Sequence, residues 1–138
     1  MEIQKKNEIA YEAIEAASNN PGKVYNPLVL CCQGSNKGKL ARAKASINSS
    51  IPNARSLYIN GEGNVDDREQ RLATDPTEID VLLVHAVDLI QEQEHIAALF
   101  ELIDAMHSSS RQVVMTTANP LKEDLETRLR CYEGGLIV

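Results

Sequence analysis

The stretch Gln33-Gly34-Ser35-Asn36-Lys37-Gly38-Lys39-Leu40 carries the residue types of a phosphate cradle. The full pattern, G-x-x-x-x-G-K-[ST], uses glycines so that backbone N–H groups approach phosphate oxygens. Its lysine pairs with the outer phosphates, and its hydroxyl holds Mg²⁺. Gly38 and Lys39 stand where the pattern wants them, while Gln33 replaces the first glycine and Leu40 the hydroxyl. The expected binding residues are therefore Gly34, Asn36, Gly38 and Lys39, and the expected cofactor is none, or weakly bound ADP or ATP. Each hydrogen bond lost to a charged group costs about 1.5–3 kcal/mol, and ~4 kcal/mol separates micromolar from millimolar affinity. The plainer reading of Lys39 is a solvent-exposed lysine on a helix N-terminus, which attracts anions only weakly.

His85 stands at the end of an apolar run, where it reads either as a metal ligand or general base, or as a hydrogen-bonded strand-end residue. Spacing places no second ligand near it, so no metal ligand and no catalytic residue is assigned. Asp88, three residues on, is the nearest acid that could serve hydrolysis in its stead. His95 and His107 lie at i and i+12 of a helical pattern, which is not a ligand pair, and both are expected at the surface. Cys31, Cys32 and Cys131 are an odd count with two adjacent, not a disulfide framework. They read as small core residues in a reduced, cytoplasmic setting. The acidic patch Glu62 to Asp67 with Glu69 reads as a solvated loop, or else as a docking surface for a basic partner.

The elements that must position these groups alternate. A helix is expected over Asn7–Ala17, with Ile9, Ala10, Ala13, Ile14 and Ala17 on one face, stopped by Asn20-Pro21-Gly22. Leu28–Cys32 is a continuous apolar run and reads as a buried strand. A helix over Gly38–Ser49 and a strand over Arg55–Ile59 come next. Residues 60–79 are polar, with a short helix near Asp66–Leu72. Asp80–His85 reads as a strand, Gln91–His107 as an amphipathic helix and Gln112–Thr116 as a strand. Leu121–Arg130 reads as a helix opened by Asn119-Pro120, and Leu136 begins a fifth strand. Alternation of this kind implies a parallel sheet covered on both faces, with ligands at the carboxyl ends of the strands. The expected fold is α/β, a three-layer αβα sandwich with a five-stranded parallel sheet, in one domain over residues 1–138.

Length and composition agree. The chain has 138 residues, 43% hydrophobic and 25% charged, which is the balance of a globular domain. No apolar run reaches the roughly 18–20 residues of a bilayer span, so no membrane role is expected. The net charge is −6, unevenly spread: residues 1–60 hold eight basic and four acidic residues, residues 61–138 six basic and sixteen acidic. That balance argues against nucleic-acid binding, which runs on phosphate neutralisation, and leaves room for a local anion site in the basic half.

Four stretches then resemble the AAA+ core of the bacterial replication initiator DnaA and its relatives. They are Asn7–Ala17 with the approach Asn19 to Leu28, the segment Ile51–Ile59, the strand Asp80–Val84, and Glu126-Thr127-Arg128-Leu129-Arg130 with Gly135-Leu136-Ile137-Val138. The resemblance runs nearly the whole length in order. It implies a P-loop NTPase fold of the AAA+ type, with the family's helical lid lacking. It also shows what differs. Where the family places two acidic residues after the third strand, this chain has His85 and Ala86. The sensor position falls on Ala118 beside Asn119, and the arginine-finger position on Cys131 or Tyr132. An arginine finger contributes ~10³–10⁵ in rate where it operates.

The resemblance with these departures implies a catalytically inactive core, not an enzyme, that acts by protein–protein contact in the control of replication initiation or helicase loading. Its expected partner is a replication initiator or helicase-loading AAA+ protein, or a second copy in a homo-oligomer. Arg128 and Arg130 are the expected interface residues, against the plainer reading of a solvated helix end. The alternatives are a weak ATPase built on the residual loop and a single-stranded DNA binder.

Overall fold

Five segments pair side by side as strands β1 (Leu28–Cys31), β2 (Ser56–Asn60), β3 (Val81–His85), β4 (Gln112–Thr117) and β5 (Leu136–Ile137). All pairings are parallel, in the order β2-β3-β4-β1-β5. The computed structural model describes residues 2–32 and 36–138, with side chains described for 7–32 and 37–138. Every residue of β3 and β4 is buried, which is why β3 and the Val113–Met115 centre of β4 read as continuous apolar runs rather than alternating ones, with Gln112, Thr116 and Thr117 as buried polar ends of β4.

Side chains leave successive strand positions on opposite faces, and that period of two sorts the core into two layers. On one face, Leu28, Leu30, Val81, Leu83 and Val114 meet helix α1 (Glu2–Asn19) through Ala10, Ala13, Ile14 and Ala17. On the same face they meet helix α2 (Asn36–Ser50) through Leu40, Ala43 and Ile47. The small alanines let α1 lie close to the sheet. Ile9, expected on that face, is 45% exposed, because the packed stripe turns one residue away from it.

The other face carries Val29, Leu57, Ile59, Leu82, Val84, Val113 and Met115. Against it pack helices α3 (Val65–Leu72), α4 (Gln93–Ser108) and α5 (Glu123–Arg130). α4 buries Leu99, Phe100, Leu102, Ile103 and Met106 there. Each such side chain contributes roughly 1.5–3 kcal/mol. Short 3-10 turns at Pro76–Glu78 and Val87–Leu89 lie in stretches read as loop. The fold is thus the expected three-layer α/β sandwich with a five-stranded parallel sheet.

The approach to β1 is stitched to the start of β4. Asn26 donates from Nδ2 to the Arg111 carbonyl at 2.7 Å, and its Oδ1 accepts from Val113 N–H at 2.9 Å. Gly22, at φ +80°, would place a Cβ 1.7 Å from the Ser110 carbonyl oxygen, so this turn requires glycine. The Asn20-Pro21-Gly22 stop therefore sets where β1 enters the sheet.

Candidate functional site

The chain leaves β1 by way of α2 on one face, and leaves β4 by way of α5 on the other. That divergence puts the topological switch point of the sheet at the carboxyl ends of these two neighbouring strands, the usual ligand position in open parallel sheets. β1 ends there at Cys31 with Cys32 next in the chain, β4 ends at Thr117 with Asn119 two residues on, and α2 begins at Asn36.

Of the expected phosphate-binding residues, Gly34 lies outside the described residues. Asn36 opens α2, and its side chain is not described. Gly38 is exposed in the first turn of α2. Lys39 is not the solvent-exposed lysine of the plainer reading: it is 2% exposed, and its burial lowers the pKa of its ammonium group. Its Nζ lies 5.6 Å from the ring centre of Tyr11 on α1, and the Arg42 guanidinium lies 5.7 Å from the same ring. α1 therefore supplies an aromatic wall beside the lysine.

Leu40, where the pattern has a hydroxyl, is 2% exposed and packs in the α1–α2 core. His85 is 5% exposed at the end of β3. By strand alternation its ring shares the face of Val81 and Leu83, the face that α2 covers. Its Nε2 lies 3.3 Å from a Glu62 carboxylate oxygen, so the strand-end reading holds for that nitrogen. Its Nδ1 is buried with no hydrogen-bond partner among the described residues, a state that costs about 1–3 kcal/mol. Ala86 is fully buried at φ +52°, and its N–H donates to Thr116 Oγ1 at 3.0 Å. An apolar Leu40, an imidazole and a buried alanine do not make the oxygen cage that Mg²⁺ demands. Among the described residues, no group of three or more His, Cys, Asp or Glu is placed to hold a metal ion.

Asp88 is already engaged. Its Oδ1 accepts from Ala118 N–H at 2.8 Å and its Oδ2 from Asn119 N–H at 3.0 Å, so it ties the loop after β3 to the loop after β4. Tyr132, one of two residues at the finger position, donates its hydroxyl to Asp104. Burial, then that carboxylate, push its pKa up. Cys131, the other, is exposed at the end of α5, with its thiol 3.3 Å from the Thr127 carbonyl.

Arg128 and Arg130 are both exposed on α5, yet they part ways. Arg130 pairs with Glu126 one turn back at 2.8 Å. Arg128 stacks on Phe100 of α4, 3.7 Å from its ring centre. There it lines a groove of about 620 Å³ with Ile96, Leu125, Asp88 and Asn119. α5, which carries both arginines, lies on the opposite face of the sheet from α2.

Several expectations change. His95 is buried, not at the surface, and His107 is half-buried with Nε2 2.8 Å from the Glu133 carbonyl. Cys31 and Cys32 are half-exposed and Cys131 exposed, so none is a core residue: β1 ends at Cys31, and the sheet no longer covers the chain beyond it. The acidic patch is partly spent on local structure, with Asn64 capping α3, Asp67 paired to Arg71 and Glu62 beside His85. Arg68 escaped the sequence reading altogether. It is 3% exposed, with Nε 3.0 Å from His95 Nδ1, Nη1 donating to the Asn60 carbonyl at 3.0 Å, and Nη2 paired with Glu92. The available signal was its i,i+4 relation to the apolar Leu72, which puts it on the inward face of α3.

Among the described residues, no helix is long and apolar enough to cross a membrane. The family of the bacterial DnaA ATPase domain matches residues 2–138. The chromosomal replication initiator protein DnaA of Cutibacterium acnes is 31% identical over 150 residues, which cover 98% of this chain and 30% of that protein. This chain thus spans about a third of the length of the curated relative. Among solved structures, domain III of the Thermotoga maritima replication initiation protein DnaA superposes with a TM-score of 0.70 at 21% identity, covering 95% of this chain and 60% of that one. A replication initiator DnaA bound to AMPPCP and single-stranded DNA superposes with a TM-score of 0.72 at 18% identity, covering 96% and 45%. At those identities the likeness is one of fold. The charge argument against nucleic acid gains no support here, since one of these neighbours was solved with single-stranded DNA.

Proposed function

Since the chain belongs to the bacterial DnaA ATPase-domain family, we propose that it is an initiator-like AAA+ core that works in the cytoplasm by protein contact rather than by ATP hydrolysis. Its partner is an AAA+ protomer of an initiator or helicase loader, and its effect falls on the control of replication initiation. The observation that carries this reading is Leu40, packed in the core where a Mg²⁺-holding hydroxyl would stand. His85 and Ala86 at the end of β3 support it. A subunit with one competent face caps a head-to-tail assembly, because such an assembly extends only if both faces engage. The test is sedimentation of this chain with an initiator ATPase domain, with ATP hydrolysis followed in parallel. We expect a complex at tens of micromolar and no phosphate release above background. No complex at that concentration, or release abolished by Lys39→Ala, overturns the reading.

A second reading is favoured by the buried Lys39 in the first turn of α2 and by the buried Nδ1 of His85, whose ring lies on the face that α2 covers. Together they support weak, Mg²⁺-independent binding of ADP or ATP, with the nucleotide as a conformational signal rather than a fuel. Ligand at about 100 times its dissociation constant adds ~2.7 kcal/mol of stability, a shift of several degrees for a domain of this size. Thermal unfolding with ADP or ATP, with and without Mg²⁺, reads it. A shift unchanged by Mg²⁺ and lost in Lys39→Ala supports nucleotide binding, and no shift at millimolar nucleotide rejects it.

A further inference from the structure

Two adjacent residues of a continuing strand point their side chains to opposite faces. Cys31 and Cys32 do not. β1 ends at Cys31, and Cys32 takes a left-handed backbone conformation, φ +57°. That turn swings its side chain back, and the two sulfurs come into contact at 3.6 Å. Such a conformation is uncommon for a residue with a Cβ and concentrates at functional and switch segments. Both thiols are half-exposed at the carboxyl end of β1. Thr117 fixes them from β4: its Oγ1 accepts from Cys32 N–H at 3.2 Å and lies 3.4 Å from Cys31 Sγ.

We propose that Cys31 and Cys32 are a site of reversible oxidation by a hydroperoxide, closing to a vicinal disulfide immediately before the phosphate-loop segment. A reactive cysteine held beside a resolving one is the arrangement of thiol sensors. One thiol loses its proton and its sulfur attacks a peroxide oxygen. The O–O bond breaks, the leaving oxygen takes the proton and departs as water or alcohol, and a sulfenic acid remains. The second sulfur attacks that sulfenic sulfur. The S–S bond forms, the S–O bond breaks, and the departing oxygen takes the second thiol's proton as water. The two electrons lost by the sulfurs are those gained by the O–O bond. Neighbouring Cα atoms stand about 3.8 Å apart, closer than in ordinary disulfides. The bridge is therefore strained and easily reopened by thiols, as labile regulatory disulfides are. Closing it pulls on the left-handed backbone at Cys32 and on its contact with Thr117, so the oxidised and reduced chains differ at the carboxyl ends of β1 and β4.

The test needs no nucleotide and is independent of the reading above. The full chain carrying Cys131→Ser is treated with hydrogen peroxide and mapped by peptide mass. We expect the peptide containing residues 31 and 32 to lose two hydrogens and to regain them with dithiothreitol. The reduced chain is captured by immobilised phenylarsine oxide, which bonds paired thiols, and the oxidised chain is not. Cys31→Ser and Cys32→Ser each abolish the mass loss and the capture. Accumulation of sulfinic or sulfonic acid on one cysteine without the two-hydrogen loss overturns the proposal. So does a disulfide between two chains in its place. The arsenical capture of the Cys131→Ser chain decides the matter even where a single-serine variant fails to fold.

Discussion

Nε of Arg68 donates to Nδ1 of His95 across 3.0 Å, joining α3 to the first turn of α4. An accepting Nδ1 leaves the ring proton on Nε2. The same guanidinium bonds the carbonyl of Asn60 at the end of β2 and pairs with Glu92 just before α4. One planar group thus holds three elements at the edge of the sheet. Arg68→Ala leaves His95 and a carbonyl without their donor and should cost about 3 kcal/mol, the scale of a broken buried pair. Arg68→Lys should recover less than half, since an ammonium cannot span the fork. Urea denaturation of the three proteins measures both.

Asp88 offers a second test. Both its oxygens are occupied by backbone N–H groups of Ala118 and Asn119. Asp88→Ala should destabilise by about 1–2 kcal/mol and leave nucleotide turnover at its background level. A loss of measurable phosphate release in this variant would instead give Asp88 the role of a hydrolytic base.

Leu40 ties the altered loop to the core. Leu40→Thr restores the hydroxyl but buries it among α1 and α2 side chains, with the loss of apolar volume. The expected cost is about 2 kcal/mol. Thermal unfolding should show a lower Tm and no Mg²⁺-dependent gain with ATP, because His85 and Ala86 still supply no carboxylate.

The Asp80–Arg55 pair gives a pH prediction. Asp80 accepts from the Arg55 side chain at 3.1 and 3.2 Å and from its N–H at 2.8 Å, and these bonds hold its carboxyl below the usual aspartate range. A depressed native pKa stabilises above the unfolded value and loses that contribution as pH falls through the native one. Asp80→Asn should therefore be less stable than the parent at pH 7. The pair is partly exposed, so the difference is about 0.5–1 kcal/mol. It should shrink as pH drops below about 4, which urea midpoints across that range would track.

Much of this architecture could be read directly from the order of residues. The strands Val81–His85 and Gln112–Thr117 are buried on both faces, so composition alone marks them. α4 shows its packed stripe at helical spacing, and Asn20-Pro21-Gly22 marks a turn that only glycine can make. Local backbone chemistry and apolar periodicity are properties of neighbouring residues, and they need no knowledge of what lies across the sheet. The departure from the phosphate-loop pattern is legible for the same reason: Leu40 stands where the pattern has a hydroxyl.

Burial of polar side chains was not legible, because it depends on partners distant in the chain. Arg68 stands in a charged run that reads as solvated, yet it finds His95 twenty-seven positions away. Lys39 has the position of a solvent-exposed lysine on a helix N-terminus, yet it is buried, with its Nζ 5.6 Å from the Tyr11 ring of α1. Asp88 looks like a displaced catalytic acid until the loop after β4 arrives to occupy both its oxygens. The contact of Cys31 with Cys32 turns on one left-handed residue, and no propensity rule places a cysteine there. Periodicity settled which segments form the layers. Which polar atoms face one another at the carboxyl ends of those strands was settled only when the layers closed, since a hydrogen bond between remote residues exists only in the folded chain.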